Sequence, residues 1–291
     1  MARCRHYFFQ NPMLTRFSFL LKISLLVGLL LLNRISQATT PTRIVSLNGT
    51  VSEIICQLGL QSQLVGVDVT STYPEALTKL PKVGHNRNIS AEGVLALSPT
   101  IVVGTMESLK PEVASQLKSA GVTVQLFTQE YSVAGTKKLM QQLAAAFNES
   151  AKVPALTKQL DTELAKAKKP AKAPKVLFIY ARGTGTMMVA GQGTSVEKVI
   201  GLAGGQNAAT GFTDFKPLTA EALVAANPDV LLLFDSGLQS LGGKAGLLKV
   251  PGIAQTNAGR TGRVVEMDGQ LLSGFGPRLG QATTELASKL Q

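Results

Sequence analysis

The chain has 291 residues, 45% hydrophobic and 16% charged, which excludes a disordered polymer and allows one large or two medium cores. Its net charge of +11 suggests an anionic partner, but Trp is absent and aromatics are only 5%, so few rings are available to stack on nucleic acid. Two His and two Cys are too few for a multi-imidazole zinc or manganese cage or a disulfide framework.

Residues 1–38 read as an export signal. Arg3, Arg5 and Arg16 form a positive segment, FSFLLKISLLVGLLLL follows at 17–32, and Ser36-Gln37-Ala38 predicts cleavage after Ala38. The uninterrupted apolar run from Ile23 to Leu32 is too short to span a membrane. Removing the signal leaves 24 basic and 18 acidic residues, which lowers the charge to +6 and weakens the case for nucleic acid. His6 and Cys4 leave with it, so His85 is the mature protein's single imidazole and Cys56 its single thiol. No Cys stands at the cleavage point to carry a lipid anchor. Cys56, within EIICQLGL, reads as a small buried hydrophobe.

Strand-like runs then alternate with helical patterns. RIVSL (43–47), LVGVD (64–68), TIVVG (100–104) and VTVQLF (122–127) precede a helical stretch, and KVLFIY (175–180), DVLLLF (229–234) and RVVEMD (263–268) follow it. Several are continuously apolar, as strands covered on both faces of a parallel sheet should be. VSEIICQLG, SAEGVLALS, KPEVASQLKSAG and TSVEKVIGLAGG fill the gaps as helices, giving α/β architecture. From Ser132 to Lys169 no strand is expected, and Val153, Leu156, Leu160 and Leu164 make one apolar helical stripe. KAKKPAKAPK (166–175) ends it with two prolines and a solvated lysine cluster. The expected organisation is a signal peptide (1–38), an N-terminal α/β lobe (39–131), a helical linker region (132–173) and a C-terminal α/β lobe (174–291). A weak repeat supports two lobes: NISAEGVLALSPTIVVG (88–104) parallels PLTAEALVAANPDVLLL (217–233), aligning Glu92 with Glu221 and Pro99 with Pro228.

Three stretches carry a family likeness: RIVSLNGTVSEIICQLG, LPKVGHNRNISAEGVLALSPTIVV, and the second-lobe run from VLFIYARGTGTMMVAGQGTSVEKVIGLAGGQNA through GFTDFKPLTAEAL. On these the chain resembles the periplasmic haem-binding proteins of ABC-type haem importers, within the wider siderophore, cobalamin and haem class. The resemblance covers essentially the whole mature chain. It implies two lobes, each with a central, mainly parallel sheet, joined by a long linker helix with the ligand cleft between them. It also implies haem as the transported ligand, an inner-membrane ABC permease as partner, a monomeric protein and a periplasmic location.

The family's axial tyrosine usually lies in Gly-Tyr-x-Arg; here the stretch is Gly84-His85-Asn86-Arg87. The resemblance therefore makes His85 the proposed haem-iron ligand, since haem iron accepts imidazole as well as phenolate. Arg87 and Arg182 become propionate partners through bidentate contacts. Tyr180, Met188 and Phe215 complete the expected ligand-binding set. Tyr73, Tyr131 and Tyr180 are the fallback iron ligands, with Met187 or Met188 as a weak sixth, and Phe127 is either a ring for the porphyrin face or core. Glu92 and Glu221 each follow a helix-capping Ser or Thr, where a carboxylate suits the helix dipole; in the wider class a glutamate on each lobe docks on permease arginines.

Three alternatives stay open. The same architecture would suit cobalamin or a ferric siderophore. An exported α/β enzyme using the Gly-rich loops is the other class, but ARGTGTMMVAGQG fits neither nucleotide-loop pattern and reads as tight turns lining a cleft. With no GxSxG elbow and a single mature His, no catalytic residue is assigned.

Overall fold

The seven apolar runs all become strands. A computed structural model of the chain describes residues 41–85 and 88–291. The export signal, its cleavage point after Ala38, and Arg87 lie outside the described residues. The first sheet is wholly parallel, in the order β2 (Leu64–Val67), β1 (Ile44–Ser46), β3 (Ile101–Thr105), β4 (Thr123–Phe127). The second runs β10 (Val264–Met267), β9 (Val230–Phe234), β5 (Lys175–Ala181), β6 (Met187–Ala190), β8 (Phe215–Pro217), with β7 (Gln206–Asn207) also on β5.

Successive residues of β5 and β9 show why these strands lack polar alternation. Val176, Phe178, Val230 and Leu232 enter one core, whereas Leu177, Ile179, Leu231 and Leu233 enter another on the opposite face. Each such side chain contributes about 1.5–3 kcal/mol on burial, so both faces must be covered.

The second sheet differs from expectation at its other side. The turns expected across ARGTGTMMVAGQG lie only at its two ends: Arg182 N–H donates to the Thr186 carbonyl at 2.9 Å with Gly183 at φ +65°, and Gly193 takes φ +81°. Met187–Ala190 then pairs antiparallel with both β5 and β8. Flanking glycines and the shortness of the run hide this strand in the sequence.

Helices connect the strands. α1 (Gly49–Gln57) is capped by the Asn48 carboxamide oxygen, which accepts from Thr50 N and Val51 N. α2 (Ala91–Leu95) and α3 (Pro111–Ser119) complete the first lobe. Between the sheets lie α4 (Val133–Ala146) and α5 (Val153–Ala165), parted by a turn in which Asn148 takes φ +58°. The stripe on α5 faces inward as its spacing requires: Val153, Leu156 and Leu160 are buried. The second lobe adds α6 (Ser195–Leu202), α7 (Ala220–Ala226), α8 (Asp235–Ser240), α9 (Gly243–Leu247), α10 (Asn257–Thr261), α11 (Gly269–Ser273) and α12 (Leu279–Lys289). α12 lies close along α5, where a Cβ on Gly280 would stand 2.5 Å from that of Glu163.

One apolar core passes beneath both sheets. It joins Ile44, Val51 and Val103 to Leu139, Leu143 and Leu160 of the connecting helices, and those to Val176, Leu232 and Leu286. Among the described residues, no helix is long and apolar enough to cross a membrane.

Candidate functional site

Open parallel sheets present their ligand sites beyond the carboxyl ends of their strands. Here the loops at those ends, from both sheets, surround one cleft of about 880 Å³. Asn48–Thr50 follows β1, Val69, Thr70 and Thr72 follow β2, and Gln129 and Tyr131 follow β4. From the other lobe come Tyr180–Arg182 at the end of β5, Phe234–Ser236 at the end of β9, and Asp268–Gln270 with Ser273 and Gly274 after β10. The volume lies within the range of small-molecule and cofactor sites.

His85 reaches this cleft from the loop before α2. Gly84 turns the chain there with φ +105°, a conformation side-chain-bearing residues rarely adopt, and its carbonyl is held by Val69 N–H at 3.1 Å. The His85 imidazole is half-buried, and among the described residues it has no hydrogen-bond partner. An imidazole so placed can offer its lone pair to a ligand.

Tyr180 enters from the opposite lobe. Its ring stands edge-on to Phe234, with centroids 6.3 Å apart, and the Arg182 guanidinium lies 5.7 Å from its ring centre. Arg182 is exposed within the cleft and suits an anionic group on a ligand. Tyr131 is a different kind of tyrosine. Burial pushes its phenol above the ordinary value, and the charges of Glu107 and Asp214 add to that, so it stays a neutral hydrogen-bond donor. Its ring packs on Phe275 at 5.5 Å.

The structure therefore brings His85, Tyr180 and Arg182 around one cleft, together with Tyr131. Other expected residues lie elsewhere. Met188 stands opposite Tyr180 in the β5–β6 register, on the same face of the sheet, but is not among the residues lining the cleft. Met187 packs towards the second-lobe core. Phe215 is on β8, 38% exposed and away from the lining, and Phe127 packs against the core. Tyr73 is occupied by Arg278, whose guanidinium carbon lies 3.6 Å from its ring centre. Among the described residues no three His, Cys, Asp or Glu side chains gather as a metal cage.

The repeated unit is reproduced in detail. Ser90 Oγ accepts from Gly93 N–H at the start of α2, and Thr219 Oγ1 accepts from Ala222 N–H at the start of α7, both at 3.1 Å. Glu92 and Glu221 then occupy the first turn of their helices, both exposed. Each unit leaves its helix through a left-handed residue before proline, Ser98 at φ +47° and Asn227 at φ +39°. Capping and exposure thus coincide at both glutamates.

The description "Periplasmic binding protein" matches residues 44–271. The chain belongs to the periplasmic binding protein family. Among solved structures of comparable shape, the periplasmic haem-binding protein RhuT from Roseiflexus sp. RS-1 is 43% identical with a TM-score of 0.82, over 86% of this chain and 97% of that one. The haem-binding protein HmuT is 33% identical with a TM-score of 0.78, over 86% and 84%; it has also been solved with a tyrosine, a histidine or an arginine replaced by alanine. The ABC transporter substrate-binding lipoprotein YvrC of Bacillus subtilis is 30% identical over 86% of this chain and 80% of its own. A cobalamin-binding protein of Halobacterium salinarum is 25% identical over 85% and 69%. By name these are binding proteins, one of them of an ABC transporter, and the two-lobed α/β fold is that of the solved ones.

The sequence reading missed Gln129, Gln270 and the pair Glu53–Arg278, which border or underlie the cleft. Their partners are far apart along the chain, so no local pattern marks them.

Proposed function

We propose that this protein is an exported haem-binding component of an ABC importer, that haem lies in the inter-lobe cleft, and that its iron meets His85. The observation that carries this is the convergence of His85 from one lobe with Tyr180 and Arg182 from the other. Imidazole and phenolate are both axial ligands of haem iron, so Tyr180 stands as the second ligand. In HmuT the tyrosine and arginine chosen for replacement are two positions apart, as Tyr180 and Arg182 are here, and a histidine was chosen as well. Arg182 offsets the charge of a propionate, with Arg87 as the second propionate partner. Glu92 and Glu221 dock the loaded protein on the permease. Binding and delivery break no bond, so the reading includes no catalysis.

Cobalamin is the second reading, favoured by the name of the Halobacterium relative. The haem-named structures are the more similar to this chain.

Titration of the mature protein with hemin and with cobalamin separates the two. Haem binding should give a strong Soret change that shifts in His85→Ala and, separately, in Tyr180→Phe. Saturation by cobalamin with no response to hemin would overturn the proposal, and an unchanged haem spectrum in His85→Ala would remove that residue from the iron.

A further inference from the structure

α11 and the turn after it belong to the second lobe, yet their polar groups are tied to the first. The Gln270 carboxamide oxygen accepts from Thr72 N–H at 2.8 Å, Thr72 Oγ1 at 2.9 Å and Tyr73 N–H at 2.9 Å. Its nitrogen donates to the Gly49 carbonyl at 2.9 Å and to Glu53 Oε2 at 3.3 Å. Donors on one side and acceptors on the other allow only one orientation of the amide.

The following residues continue the pattern. The Gly274 carbonyl accepts from Thr50 Oγ1 and, at 2.7 Å, from Gln129 Nε2. The Phe275 carbonyl accepts from Thr136 Oγ1 of the connecting helix α4 at 3.2 Å. Phe275 is buried at φ +49°, a backbone state that a bulky residue keeps only when its surroundings enforce it. Arg278 closes the series by binding Glu53 with Nε at 3.0 Å and Nη2 at 2.9 Å.

Gly49, Thr50, Thr72, Gln129, Gln270 and Gly274 also line the cleft. The braced seam is thus part of the wall that a ligand meets. We infer that Gln270 is a positioning residue: it fixes the two lobes in register so that His85 and Tyr180 address the same ligand without a hinge movement. This rests on the haem reading of the cleft. The binding geometry is built before the ligand arrives, which lowers the cost of ordering on association.

The test is Gln270→Glu, which keeps the size of the side chain but sets an oxygen against the Gly49 carbonyl and the Glu53 carboxylate. In the ligand-free protein, exchange of the Thr72 and Tyr73 amide hydrogens should rise at least about tenfold, because weakened local bonds open more often. With hemin, the two-ligand spectrum should give way to a one-ligand spectrum, and affinity should fall about tenfold. Tyr180→Phe should produce the spectral change without faster exchange. If Gln270→Glu fails to fold, Thr72→Val, at an exposed site, reads the same two quantities in smaller measure. Faster exchange with unaltered haem spectrum and affinity would make Gln270 merely structural, and unaltered exchange would remove the brace. A wild type that ignores hemin would refute the haem reading and with it the positioning role, while the exchange measurement still decides whether the brace exists.

Discussion

Arg278 holds the carboxylate of Glu53, 225 positions earlier, through two hydrogen bonds, at a site where Glu53 is 3% exposed. Burial still keeps the Glu53 carboxyl above its ordinary value, and Arg278 only partly offsets it. Removing one partner strands a buried charge, which costs about 3 kcal/mol or more, whereas removing both is much milder. Arg278→Met should therefore lower the melting temperature by roughly 6–12 °C. Adding Glu53→Gln should recover a large part of that loss. Equal melting of the single and double variants would show that the pair is not coupled.

Cys56 reports on the same carboxylate. Its thiol is pushed up to about 11, first by burial and then by the charge of Glu53. At pH 8 roughly one molecule in a thousand then carries the reactive thiolate. Alkylation of the native protein should be on the order of a hundredfold slower than that of an exposed thiol, and Glu53→Gln should speed it. Cys56 is half-buried rather than fully buried as the sequence suggested, and alkylation at the rate of an exposed thiol would contradict that placement.

The two cleft tyrosines should separate under substitution. Tyr131→Phe removes a neutral donor, a loss of about 1 kcal/mol or roughly fivefold in haem affinity, and should leave the coordination spectrum alone. Tyr180→Phe should alter the spectrum. A reversed result would exchange their roles.

Asp229 supplies an acid-side dependence. Hydrogen bonds from Lys175 N–H and the Asn257 carboxamide, outweighing a small burial effect, hold its carboxyl below the ordinary value. A depressed carboxyl contributes stability that is present above the ordinary value and lost as the pH falls through the folded one. Asp229→Asn should flatten the decline in stability below about pH 3.8, measured by denaturant unfolding at stepped pH. An unchanged slope would assign that decline to other carboxyls.

Glu92 and Glu221 are exposed on capped helices, so replacing both by Ala should cost at most about 1 kcal/mol each in helix-dipole terms. Haem affinity should not change. On the proposed docking role, haem uptake by cells relying on the protein should fall sharply, and undiminished uptake would leave the two residues as helix-terminus charges only.

The strands of both lobes were legible because burial on two faces requires unbroken apolar runs, as in VLLLF at 230–234. The duplicated cap, glutamate and proline were legible because each lies within a few residues of the next. β6 was not, since Met187–Ala190 is short, bounded by glycines and stabilised by pairing on both sides. His85 and Tyr180 could be singled out by rarity and resemblance, but their sharing one cleft depends on how two sheets face each other. Gln270 carried no signal, because its partners at Gly49, Glu53 and Thr72 are some two hundred positions away.

The apolar core that passes from Ile44 through Leu143 and Leu160 to Leu286 has a calorimetric consequence. Neither lobe can melt without exposing side chains that the other also covers. Heating should yield one endotherm whose measured enthalpy equals its van't Hoff enthalpy, and a chain cut in the turn at 147–152 should give no half that folds by itself. A chain made from its N-terminus would then keep the segment up to 131 without its full core cover until α12 is in place.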